Sequence, residues 1–158
     1  MHRSLLLTLA LTAAAAPAEA GLPWISIEIP ANPYNVSTRD AFCLVRVYHH
    51  GDAAYYPVQG TAEGLVNRER RSVPLVLTDA GMPGVYAVRY QPEATGSWML
   101  VFRVGTEGEH GSATALVVLG QDGRIISTTV PTRRQGQYLM PERVTADAVD
   151  RLLRERAG

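Results

Sequence analysis

"PGVYAVRYQPEATGSWMLVFRV", residues 83–104, sets the fold class. Residues 85–90 and 98–104 read as two strands, and the stretch between them, "QPEATGS", is rich in turn formers. In the second strand Trp98, Leu100, Phe102 and Val104 fall on one face at a period of two. Working outward, residues 24–29, "WISIEI", alternate strictly and place Ile25, Ile27 and Ile29 together. Residues 41–48 form a further strand in which Arg46 marks the polar side, so Cys43, Val45 and Val47 point inward. Residues 56–62 read as a strand weakened by Gly60, and residues 73–77 as one that places Val73, Leu75 and Leu77 on one side. "NRERR", residues 67–71, reads as a solvated hairpin tip, and "TDAGMPG" as a turn. Residues 113–119 are apolar throughout and should be buried. "GQDG" then turns the chain into residues 124–130.

About seven or eight short strands with no helix between them predict an all-β antiparallel sandwich. A parallel α/β sheet is excluded because its crossover helices are missing. The sandwich is expected over residues 21–130. Residues 131–144 read as an irregular linker with two prolines, followed by a short C-terminal helix. Thr145 is its expected N-cap, Asp147 suits the first turn, and Val149, Leu152 and Leu153 form a narrow apolar stripe. That stripe is expected to pack on the sandwich edge, with docking to a partner as the alternative.

The first 20 residues have the three parts of a cleavable signal peptide. His2 and Arg3 are basic, residues 5–11 are apolar, and Ala18-Glu19-Ala20 is a small-x-small cleavage site. No later stretch approaches the roughly 20 apolar residues of a membrane span. The protein is therefore expected to be periplasmic or secreted, with no membrane insertion after cleavage. Charge is balanced, with 15 basic and 15 acidic residues, and this argues against a nucleic-acid partner. Every basic residue outside histidine is Arg. The single cysteine, Cys43, lies in the apolar run "AFCLVRV" and is expected to be buried.

Residues 83–104 carry a Gly-x-Tyr strand, a turn, and a Gly-x-Trp strand. This layout, with "SVPLVLTDAG" before it, resembles small exported bacterial immunoglobulin-like domains of the YtkA-like and FixH-like kind over residues 22–120. Gly84 and Gly96 suit turn conformations closed to other residues, while Tyr86 and Trp98 bring large apolar surface with a polar tip. The resemblance implies an immunoglobulin-like sandwich in the cell envelope and little chemistry. Some relatives look like metal-handling modules with Met and His loops. Here Met82, Met99 and Met140 are scattered.

The remaining functional signal is "VYHHGDAAYY", residues 47–56. Tyr48, His49, His50, Asp52, Tyr55 and Tyr56 are the candidate binding residues, since loops at sandwich ends commonly carry binding and Tyr offers broad amphipathic area. Neighbours on a strand face opposite ways, so His49 and His50 can converge only if the strand breaks, and Gly51 permits a break. A metal there would draw on His49, His50, Asp52 and, from the loop "GTEGEHGS", His110 with Glu107 or Glu109. Hydrolase elbows, phosphate loops and zinc-protease helices are missing from the sequence, so no enzyme and no cofactor is expected. The leading expectation is a module that binds or scaffolds another envelope protein, with metal binding at the His49–Asp52 turn as the alternative.

Overall fold

The computed structural model describes residues 21–29, 34–93, 95–105 and 111–157. In chain order the elements are β1 (Trp24–Glu28), β2 (Cys43–His49), β3 (Asp52–Ala53), β4 (Val58–Val66), β5 (Glu69–Pro74), β6 (Val76–Asp79), β7 (Val85–Arg89), β8 (Ser97–Gly105), β9 (Ser112–Leu119), β10 (Ile125–Thr129), β11 (Thr132–Gln135), β12 (Tyr138–Pro141) and α1 (Ala146–Ala157). One sheet runs β1-β2-β7-β6, with β3 also paired to β2; the other runs β10-β9-β8-β4-β5. All pairings are antiparallel. Strands β1, β2, β6 and β7 thus hold the A, B, D and E places of an immunoglobulin domain, and β4, β5, β8 and β9 those of C, C′, F and G. The chain is an all-β, immunoglobulin-like antiparallel sandwich with a short C-terminal helix.

The inward faces are those the alternation predicts. Ile25, Cys43, Val45, Val47, Trp98, Leu100, Phe102 and Val104 share one buried core with Val117 and Leu119. Trp98 Nε1 donates to Thr95 O at 2.8 Å and the Tyr86 hydroxyl to Tyr56 O at 2.8 Å, so both rings reach polar partners at their tips. Gly84 and Gly96 have φ of 66° and 90°, as the turns require.

Gly60 does not weaken its strand. Gly60 and Gly64 lie directly across from Phe102 and Trp98. A Cβ at Gly64 would stand 2.6 Å from the indole, and one at Gly60 3.0 Å from the Phe102 ring. The glycines make room for the two largest core rings, and β4 runs on to Val66. Residues 73–77 are not one strand either. The chain leaves β5 at Pro74 and enters the opposite sheet at Val76, and the Leu75 N–H donates to Gly60 O across the change at 2.9 Å. Leu75 and Leu77 pack on the core while Val73 is exposed. Ile29, just past the end of β1, is exposed as well.

The C-terminal region differs from the expected irregular linker and edge helix. Residues 132–141 form a hairpin of β11 and β12 with Gly136 at φ 60° in the turn. Helix α1 then covers the outer face of the β4–β8–β9 sheet. Val144, Val149 and Leu153 pack there with Leu65, Met99, Val101, Leu116 and Val118. Burying Val149 and Leu153 contributes about 1.5–3 kcal/mol each. The cap is the expected one, since Ala148 N–H donates to Thr145 Oγ1 at 3.3 Å. Arg70 clamps the helix to the sheet, pairing with Glu63 at 2.9 Å and with Asp150 of α1. Ser72 Oγ donates to the same Glu63 carboxylate at 3.1 Å. The molecule therefore has three layers, and residues 113–119 are apolar except for Thr114, whose buried hydroxyl accepts from Val144 N–H at 3.0 Å, because both of their faces are covered.

Candidate binding site at the histidine turn

Strand β2 ends at His49, and the chain turns through His50 and Gly51 into β3. His50 has φ 54° and Gly51 φ 91°, a pair of left-handed residues that makes a tight hairpin turn. Histidine tolerates this conformation better than a β-branched residue does. The strand therefore breaks where Gly51 permits, and the two imidazoles converge with ring centroids 4.3 Å apart at 68°.

They converge on Gly21. His49 Nε2–H donates to the Gly21 carbonyl at 2.7 Å, and the Gly21 N–H donates to His50 Nε2 at 3.3 Å. These bonds set the tautomers: His49 carries its proton on Nε2 and His50 on Nδ1. Nothing in the sequence pattern signals a contact between residue 21 and residues 49–50, because it joins segments 28 and 29 positions apart.

The other residues of the stretch separate into three settings. Tyr48 and His50 line a depression of about 390 Å³ with Gly21, Leu22, Trp24 and, from β12, Leu139 and Met140. Tyr55 is exposed on the surface, and Asp52 is exposed on β3 in register with His49. Tyr56 packs against the core, with its ring 5.8 Å from that of His49. Trp24, 37% exposed, and Leu139, 58% exposed, give the depression an apolar rim. Sequence reasoning did not include Leu139 or Met140, because it took their segment for a linker.

Gly105 and Gly111, the described residues on either side of the loop of His110, lie against Pro23 and Leu22. His110, Glu107 and Glu109 themselves fall outside the described residues. Among the described residues no group of three or more His, Cys, Asp and Glu side chains is placed to hold a metal ion. No helix among them is long and apolar enough to cross a membrane. A second depression, of about 360 Å³, lies at the opposite end of the sandwich beside Arg68 and Arg156. Its lining is more polar, with Leu65 among Asn67, Arg68, Ser97, Gln121 and Arg156.

Cys43 is fully buried, and burial pushes its thiol up to about 12 from 9.0. The thiolate is the reactive form, so native Cys43 should resist thiol reagents at pH 8 and react only on unfolding. A burst of labelling in native protein would contradict this. The shift also sets a pH dependence. Between about pH 9 and 12 the unfolded chain loses the thiol proton and the folded one keeps it, so Cys43 contributes less stability as pH rises through that window.

Compared with family models, with curated proteins and with solved structures, the chain matches none.

Proposed function

We propose that the protein is an exported binding module whose histidine-turn end holds another cell-envelope protein. The observation that carries this reading is the apolar depression rimmed by exposed Trp24 and Leu139 and walled by Tyr48, Leu22 and Met140. Exposed aromatic and aliphatic groups gathered around one concavity are what a protein partner buries. The balanced charge favours recognition by apolar and aromatic contact over electrostatic steering. The buried, protonated Cys43 supports a non-catalytic role.

Site-specific photo-cross-linking in the native envelope tests the proposal. A cross-linking residue at Leu139 should trap one discrete partner, and Trp24→Ala should reduce that product roughly tenfold, as expected for loss of a central aromatic contact. The same group at Ile126, which is exposed at the other end beside Gly120 and Gln121, serves as control. Equal trapping from both positions, or none from Leu139, would sink the reading.

A second reading, metal binding at the turn, is favoured by the convergence of His49 and His50 on one residue.

A further inference from the structure

We propose that hydrolysis of the Ala20–Gly21 bond completes a divalent copper site made by the Gly21 amine and carbonyl oxygen with Nε2 of His49 and His50. This inference deepens the metal reading and rests on the export reading, since it needs cleavage after Ala20.

The four donor atoms, now joined by two hydrogen bonds, lie close enough together to share one ion. Nitrogen ligands sit about 2.0–2.1 Å from a zinc or similar ion, which puts neighbouring ligands roughly 2.8–3.4 Å from each other. Gly21 N and His50 Nε2 are 3.3 Å apart, within that range, and Gly21 O and His49 Nε2, hydrogen-bonded to each other, are 2.7 Å apart, just below it. The amine and carbonyl of one glycine close a five-membered chelate ring, and the two imidazoles supply the remaining positions once His49 exchanges its hydrogen bond to Gly21 O for the ion and carries its proton on Nδ1, as His50 already does. Three nitrogens and one oxygen suit tetragonal Cu(II), which also leads the affinity order of the first-row divalent ions.

Processing changes what Gly21 can do. In the uncleaved chain its nitrogen is an amide, a donor with no free lone pair. Signal-peptidase hydrolysis adds water across the bond, leaving a carboxylate on Ala20 and an amine on Gly21. The amine nitrogen then has a lone pair for a cation, and the proton it carries is released to solvent as the cation binds. The histidines already hold this residue in place from both sides. The turn that makes them converge is the two-residue hairpin with His50 and Gly51 at positive φ.

The full chain is expressed for export, the processed protein is recovered, and its intact mass fixes the N-terminus. Copper is then titrated against a competing chelator, and nitrogen couplings are read by electron paramagnetic resonance. The expected result is one equivalent of Cu(II) bound through three nitrogens. Because the chain has no Lys, an amine-directed acetylating reagent modifies only the N-terminal amine of the processed protein. Acetylation, and separately His49→Ala/His50→Ala, should each weaken copper binding by roughly 100-fold, at least the effect of losing an outer-shell partner. Acetylation leaves every side chain in place, so it stays informative should the double variant fold poorly. A mature N-terminus at Gly21 with no stoichiometric copper, or with copper retained after acetylation, overturns the site and leaves the processing intact. An N-terminus elsewhere overturns the processing and the site together.

Discussion

Trp98→Ala should cost about 3–5 kcal/mol of stability, the range for deleting a buried aromatic ring. For a chain of this length that lowers the melting temperature by on the order of 10 °C. Trp98 is nearly fully buried, and its indole fills the space left by Gly64 across the β4–β8 pair. The reciprocal change is also informative. Gly64→Ala pushes a methyl to within 2.6 Å of the ring and should cost about 1–3 kcal/mol. In a Trp98→Leu background the added methyl has room, and most of that cost should disappear. Urea denaturation of the two single variants and the double variant measures the coupling. Additive losses would mean that Gly64 is there for some reason other than the indole.

Arg70→Ala should destabilise by about 2–3 kcal/mol, because it strips a nearly buried carboxylate of its direct ion-pair partner. Among the described residues Glu63 would keep the hydrogen bond from Ser72 Oγ and the field of nearby Arg103. Asp150 would lose its anchor at the same time, so the loss should appear first in α1. Hydrogen exchange is the direct measurement, with amides of residues 149–156 losing protection before those of β8. Replacing both charges, as in Glu63→Leu/Arg70→Leu, should recover most of the loss, since burying an ion pair carries a desolvation cost of its own. Uniform loss of protection across β8 and α1 would show that Arg70 supports the whole sandwich and not the helix docking.

The sandwich was legible because its strands are half-buried in the way that writes a period of two into sequence. Trp98, Leu100, Phe102 and Val104 announce one face, and so do Cys43, Val45 and Val47. The pattern misled at residues 73–77, where alternation continues across a change of sheet that no side chain marks except Pro74. It was silent over residues 132–141, a hairpin whose side chains are almost all exposed and so leave no apolar period. The docking face of α1 had a signal that can be named. "WMLVF" and residues 115–119 are apolar on both sides, and a strand needs that only when a layer covers each face. At the candidate site the break at Gly51 followed from the residue types. The place of Gly21 between the imidazoles did not, because it depends on how β1 enters the sheet.

The covering of the outer sheet by α1 also bears on how the chain is made. A polypeptide emerging from its N-terminus completes β4, β8 and β9 while the residues of α1 are still to come. During that interval Met99, Val101, Leu116 and Val118 form a bare apolar strip on an otherwise finished sandwich. A nascent chain arrested before residue 146 would carry a folded domain with a sticky face, a natural client for holding chaperones and a seed for self-association. Arrival of the last helix is thus the step that turns a formed sandwich into a surface its surroundings no longer grip.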